Sequence, residues 1–512
     1  MEYWNNGIMK NNCRTFFSLR SALCAMRFCG STFSSLRFPL CALRSAFFLP
    51  HFLSLCAMRH ALCVLAFTAA MQHRSTAALF SLCALLFSVF SIPGVSKADF
   101  SDFLSMFHPY LTVQEEYNDN IYLTRDNKKD DFITTISPGI RFSTSPARVT
   151  TPGQILTAPQ QPAGLDLDYR LGLVYYAREK ENDYVSHEGN LNAWYTFERR
   201  LTLRLRDYFI RSEEPREREY IEGALPEQYI LGTQRQRYIY WRNVLEPSLE
   251  YRFGPDDRFS VTYRNNYYET KDPAAEDSRE NYISPRVTYW FTIRHGILLE
   301  YGFTHGDFEL SPDFVGHNIR GRYTYRFNPR TSIFGEYVYV RRDFDSPGID
   351  YEVNNPSIGL EHAFSPTFSG RVQVGYFWQK PERGSSTEGA FFDVAGTYRE
   401  QKTTFSLSLQ GGYREDFFTA ENLGFTKYYR AIATITHNLD PRFLLGASGA
   451  IERAEYLTDR KDWLYSIRGF ANYQILRWLS LSFEATHRAN DSNIDIEEYS
   501  ENRILLRLSA TL

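Results

Sequence analysis

Residues 318–341 read NIRGRYTYRF-NPRT-SIFGEYVYVR, from Asn318 to Arg341. In the first half, Asn318, Arg320, Arg322, Thr324 and Arg326 fall on one side of an extended chain. Ile319, Gly321, Tyr323, Tyr325 and Phe327 fall on the other. Strand side chains alternate between faces with period two, so one face is cationic and the other apolar and aromatic. Asn328-Pro329-Arg330-Thr331 is a tight turn, in which proline presets φ and removes a donor where pairing stops. Ile333 to Val340 then runs back. A soluble sheet seldom gives tyrosines and aliphatics one face and arginines the other. A closed barrel in a bilayer requires that division, apolar outside and polar inside.

The same alternation begins at Pro109 and continues to the end. Leu165, Leu167, Tyr169, Leu171 and Leu173 alternate with Asp166, Asp168 and Arg170. Val372, Val374, Tyr376 and Trp378 oppose Arg371, Gln373 and Gly375; Leu479, Leu481 and Phe483 oppose Ser480, Ser482 and Glu484. No long segment after residue 110 has a 3.6-residue apolar period. Tight connections centred on Arg199-Arg200, Pro255, His295, Pro329, Pro366, Gln401, Pro441 and Arg477 alternate with polar, acidic loops at 271–280, 307–315, 343–350, 380–388, 416–425, 457–462 and 489–498. A repeat of roughly 37 residues also suits a propeller or solenoid, but here the unit is one up-down hairpin. The expectation is an all-β, antiparallel up-and-down transmembrane barrel of about 20 strands (18–22), with short periplasmic turns and longer external loops. Residues 144–163, with Pro146, Pro152, Pro159 and Pro162, form an irregular insertion on the turn side. Residues 211–232 form the longest external loop. Leu506, Leu508, Ala510 and Leu512 face lipid on a last strand that must pair with the strand starting near Tyr110, because an open edge cannot exist in hydrocarbon.

The first 98 residues differ from the rest. They hold all seven cysteines, nine of 57 Lys/Arg and one of 60 Asp/Glu, so the remainder is cysteine-free and strongly acidic. That composition suits an oxidising compartment and excludes thiol catalysis and thiolate metal sites in that part. Met71 to Arg74 is a short basic start, Ala77 to Phe90 an apolar core, and Ser96-Lys97-Ala98 a cleavage site before Asp99. Residues 71–98 therefore read as a secretory signal peptide. Residues 1–70, with LCAMR at 23–27 and 55–59 and LCALR at 40–44, form a low-complexity leader outside the expected mature protein. The barrel is expected over 99–512.

Pro109 to Thr124 (PYLTVQEEYNDNIYLT) and Asp131 to Gly139 (DFITTISPG) resemble the opening of the putative β-barrel porin 2 family. The resemblance implies a Gram-negative outer-membrane barrel, exported by the general secretory route and inserted by the barrel-assembly machinery. It also raises passage of exopolysaccharide, with a polysaccharide export complex as partner. It carries no catalytic residues.

The expected inward face supplies the pore-lining candidates Arg170, Arg204, Arg206, Arg264, Arg286, Glu300, Arg320, Arg322, Arg326, Arg371, Gln373, Arg430, Arg468, Glu484, Arg503 and Arg507. Guanidinium rings favour anions in pores. The competing reading pairs these arginines with inward acids such as Glu116, Glu300 and Glu484, in a lattice that stiffens the wall. Tyrosines either stack on sugar rings or form the interfacial girdles of a membrane barrel, and the girdle is favoured. His305 and His317 with Asp307 or Asp313 are a weak metal candidate, outweighed by unliganded loop histidines. No GxSxG, HExxH, phosphate loop or zinc spacing is present. The sequence therefore points to no enzyme, cofactor, metal or nucleic acid. It points to an outer-membrane channel, in contact with lipid, that passes a solute or exported polysaccharide, an anionic one among the candidates. The alternative is a non-conducting barrel acting as scaffold or surface-binding protein.

Overall fold

The alternation at 318–327 becomes one strand among twenty. The computed structural model describes residues 105–144, 162–214, 238–418 and 422–511. The chain divides into two units, Met1–Ala98 and Asp99–Leu512. The expected leader and signal peptide, most of the expected proline-rich insertion, the middle of the segment between β5 and β6 and Leu512 lie outside the described residues.

The strands are Phe107–Asn118 (β1), Asp131–Ser143 (β2), Ala163–Tyr176 (β3), Tyr184–Phe197 (β4), Leu201–Ser212 (β5), Tyr240–Arg252 (β6), Arg258–Thr270 (β7), Ser278–Trp290 (β8), His295–Phe308 (β9) and Phe314–Asn328 (β10). They continue as Thr331–Phe344 (β11), Tyr351–Ser365 (β12), Phe368–Pro381 (β13), Thr387–Glu400 (β14), Thr403–Asp416 (β15), Gly424–Asp440 (β16), Phe443–Tyr456 (β17), Lys461–Leu476 (β18), Leu479–Ser492 (β19) and Tyr499–Thr511 (β20). Lys180–Asn182 and Asp495–Glu497 are single 3₁₀ turns, and the described residues contain no α-helix. Every strand pairs antiparallel with its sequence neighbours, and β1 pairs with β20 from Tyr110↔Thr511 to Asn118↔Arg503. The sheet is therefore a closed barrel.

Face assignment passes without a break across each register. Val113 lies opposite Ile136 and Leu508, and Leu508 opposite Leu481, all outward. Ile319, Tyr323, Ile358, Val374, Ile467 and Leu506 are exposed on this side, as lipid-facing residues must be. At the turn end the outward rings form a chain: Tyr251–Phe253, Phe253–Tyr289, Tyr289–Phe291, Phe291–His295 and Tyr325–Phe327, with centroids 4.8–6.5 Å apart. This is the arrangement of an interfacial aromatic belt.

The two ends differ from expectation in one respect. Turns after β10, β12, β14, β16 and β18 have two residues, but the loops are shorter than the sequence suggests: 309–313 rather than 307–315, 382–386 rather than 380–388, 493–498 rather than 489–498. Polar residues at loop edges still pair as strand. β1 stops at Asn118 rather than Thr124, because Asn118 accepts the Asn120 N–H and the Asn120 amide donates to Thr124 O and Ser500 O. Local side-chain bonds here replace the ladder.

Pro138, Pro247, Pro285 and Pro356 sit inside strands, all outward, and at each the register to the following strand is interrupted. A strand proline removes one ladder donor, so these four seams tolerate one missing bond each.

Opposite faces make a test with adjacent residues. Leu409 points outward, paired to Val394 and Ala431; Ser408 points inward, between Ala395 and Ile432. Leu409→Arg is expected to cost about 2–4 kcal/mol in reversible unfolding from lipid, whereas Ser408→Arg stays within about 1 kcal/mol. Equal costs would refute the face assignment.

Candidate functional site: the inward face of the barrel

All sixteen pore-lining candidates fall on the inward face by register, and most of them meet a carboxylate there. Arg264 donates twice to Glu280, at 2.8 and 3.0 Å. Arg286 reaches Glu300 at 2.7 Å, and Arg320 approaches the same carboxylate at 3.9 Å. Arg320 and Arg322 then both donate to Glu336, at 2.8 and 2.7 Å. Gln373 donates to the other Glu336 oxygen at 3.0 Å and to Ser357 at 2.9 Å. Arg371 donates to Gln373 and lies 3.6 Å from Asp393. A linked row of ion pairs and hydrogen bonds thus runs from Arg286 of β8 through Gln373 to Asp393 of β14, while the Arg264–Glu280 pair stands apart, nearer the loop end.

The rest of the wall repeats the device. Arg414 and Arg430 share Glu452. Arg468 pairs with Glu484 at 2.7 Å, Arg206 with Glu246 at 3.5 Å, and Arg170 with Glu188. Arg503 grips Glu116 with two bonds of 2.9 Å across the β1–β20 seam. Arg507 donates to Gln114 at 3.1 Å. Arg326 reaches Asp256 of the β6–β7 turn at 2.7 Å and lies 3.4 Å from the Trp290 ring centroid. Arg204 lies opposite Ser248, and among the described residues it has no ion pair. Most of the inward arginines thus meet inward carboxylates, with Glu116, Glu300 and Glu484 among them.

Guanidinium groups also cover the inward rings. Arg322 and Arg371 stand 4.1 and 5.4 Å from the Phe334 centroid, and Arg264 4.9 Å from Tyr282. Gly359 sits beneath Phe334, where a Cβ would fall 2.1 Å from Cζ, so only glycine permits that stack.

Sequence reading missed a feature at the loop end. Phe314, Val340, Tyr351, Val353, Phe377, Phe417 and Phe425 form a buried apolar cluster that the inward face of β10–β13 shares with β16 and the loop after β15. Contacts skip strands: Arg342 of β11 donates to Glu415 of β15 at 2.5 Å, and Phe377 of β13 meets Tyr413 of β15 at 5.2 Å. Asn422 beyond the cluster donates to Ser311 at 2.9 Å and approaches Glu276 at 3.4 Å. The wall from β10 to β16 therefore curls onto itself at the mouth. The signal was present in the phenylalanines interrupting polar inward positions, such as Phe314 and Phe377, and in the Gly411-Gly412 pair inside β15, where Gly412 takes φ +154°.

His305 meets Asp307 at 3.3 Å, His317 bonds the Tyr301 hydroxyl at 2.8 Å, and Asp313 accepts the Phe308 N–H. His305 and Asp307 thus pair with each other, whereas His317 and Asp313 take other partners. In the loops, Lys129 donates to Glu179 at 2.8 Å and holds that carboxyl below its usual range, while burial raises Asp277.

A closed antiparallel barrel with a lipid-facing apolar exterior and an ion-paired polar interior is a porin-like outer-membrane β-barrel. Residues 311–512 match the family model described as Putative beta-barrel porin 2. That match covers β10 to β20 in full, whereas the sequence resemblance rests on the segments of β1 and β2. Among solved structures, the chain is similar to the siderophore receptor PirA from Pseudomonas aeruginosa (7% identity, 79% of this chain and 80% of that one, TM-score 0.46). It is also similar to OccAB4 from Acinetobacter baumannii (12%, 79% and 98%, 0.38) and OprD from Pseudomonas aeruginosa (11%, 80% and 96%, 0.36). No curated protein matches the sequence.

Glu336 joins three strands and its side chain is only 5% exposed. Glu336→Ala strands Arg320 and Arg322 and is expected to cost about 3 kcal/mol, as breaking a buried pair does. Adding Arg322→Met should recover part of that loss in denaturant titrations. A single substitution without cost would show that the lattice does not hold the wall.

Proposed function

We propose that this barrel is a passive channel through which hydrated solutes cross the outer membrane. The observation that carries the proposal is the mutual neutralisation of the wall. Below the loop-end mouth, guanidinium and carboxylate groups satisfy one another along the sheet instead of reaching across it, which leaves that cross-section to water. For twenty strands tilted about 40°, opposite backbones of a round barrel stand about 40 Å apart, beyond the reach of paired side chains. Cross-wall packing among the described residues gathers at the loop-end mouth, where the segment after β15 reaches β9 and the loops after β7 and β9.

Because most lumen arginines are paired, the wall supports weak rather than strong anion selectivity. The same width suits a hydrated glycan. Export of exopolysaccharide is therefore the finer form of the proposal, supported by the family resemblance and by hydrogen-bonding rows along the wall. Delivery would use the signal at 71–98, the general secretory route and the barrel-assembly machinery of a Gram-negative cell.

The test is planar-bilayer recording of the refolded chain from Asp99 onward. Discrete conductance steps are expected, blocked by neutral polymers only above a definite size. A folded, heat-modifiable barrel that gives no steps would overturn the proposal in favour of a non-conducting scaffold.

A further inference from the structure

Charge is divided between the two ends of the barrel. The described turn-end connections carry Arg199, Arg200, Arg294, Arg330, Lys402, Arg442 and Arg477 against Glu198, Asp256 and Asp257. At the opposite mouth the balance reverses. The three consecutive loops after β7, β9 and β11 hold Asp272, Glu276, Asp277, Glu309, Asp313, Asp345 and Asp350 against one base, Lys271. The β19–β20 loop adds Asp495, Glu497 and Glu498, which two bases of neighbouring loops, Arg125 and Arg460, neutralise only in part. Between the ends, the lattice cancels its own charge pair by pair. The axial field of the lumen is therefore set by its rims, one cationic and one anionic.

We propose that the barrel rectifies ionic current, a property that rests on the channel reading and specifies its electrostatics. A mouth lined by one sign of charge concentrates counter-ions. The turn end is thus stocked with anions and the loop end with cations. With the loop side positive, both populations move into the lumen and conductance rises. With the loop side negative, both move out, the middle is depleted and conductance falls. The effect depends on screening. The Debye length is about 3 Å at 1 M salt and grows beyond 10 Å below 0.1 M, so rim fields span the mouth only in dilute solution. A salt gradient gives a second signature: the pore is cation-selective when the dilute side faces the loops and anion-selective when it faces the turns.

Single channels are recorded at opposite voltages as salt falls from about 1 M to about 0.05 M. The current ratio is expected to rise from near one to about two- or threefold, larger with the loop side positive. Orientation is set by Ser385→Cys, the sole cysteine of the chain from Asp99, labelled from one side with a bulky impermeant maleimide. Arg294→Ser, Arg330→Ser, Arg442→Ser and Arg477→Ser, all exposed turn positions, are expected together to remove most of the asymmetry. Channels with symmetric currents at low salt, rectification of the opposite sign, or an unchanged ratio in the fourfold variant would each overturn the rim proposal and leave the channel standing. Absence of any conductance step would instead defeat the channel reading.

Discussion

Backbone hydrogen bonding in a medium without water is the constraint on which the rest depends. An unpaired N–H or C=O in hydrocarbon costs several kcal/mol, so the sheet must end where it began. The β1–β20 seam meets that demand from Arg503 to Thr511. Closure then fixes much else. It makes the strand number even when both ends lie on the turn side. It also lets one face assignment propagate from Leu111 round to Leu508 without a slip. The four strand prolines show how closely the requirement is met: each gives up one bond on one side only, and none adjoins the seam.

The second demand comes from the interior. A barrel of this width cannot fill its centre with side chains, so its wall must be stable while wet. Arginine suits that task, because a planar fork can hold a carboxylate on a neighbouring strand and still lie flat on a ring. Arg322 does both, with Glu336 on one side and Phe334 on the other. The β10–β16 mouth solves the problem differently. There the wall curls until aromatic groups meet, and Arg342–Glu415 is buried between them. One protein thus uses an ionic lattice where its wall is open and an apolar core where it closes up.

Fold class, strand number and the lining were legible because period-two alternation is local, and each pair of adjacent residues reports its own face. The partners Glu116, Glu300 and Glu484 were legible as acids on the inward face; their particular arginines were not, since register across a seam such as Glu116–Arg503 joins residues 387 apart. The loop-end cluster was hidden for a related reason. Phe417 and Phe314 become neighbours only when the wall curves, and no period in either segment encodes that curvature. Strand ends were misplaced where polar residues pair above the apolar belt, because hydropathy marks the lipid boundary and not the end of the ladder.

That last mismatch locates the bilayer. Upward from the turn end, the outward face of β5 shows Leu201, Leu203 and Leu205 before Asp207; β6 shows Tyr251, Leu249, Pro247 and Leu245 before Asn243. Asn243 donates to Asp207 at 2.8 Å. The border continues through Asn265 and Asn281, hydrogen-bonded at 3.0 Å, to His305 and His317 on β9 and β10. Seven or eight residues of tilted strand rise about 20 Å, close to the roughly 25 Å apolar band of such barrels. The strands outrun that height by several residues, and always at the loop end. Lipid therefore embraces the turn-proximal part of the barrel, while paired strands carry the acidic loops clear of the hydrocarbon. The aromatic chain at Tyr251–Phe253–Tyr289 then marks one interface and the Asn–His border the other, so the membrane position follows from the outward residues alone.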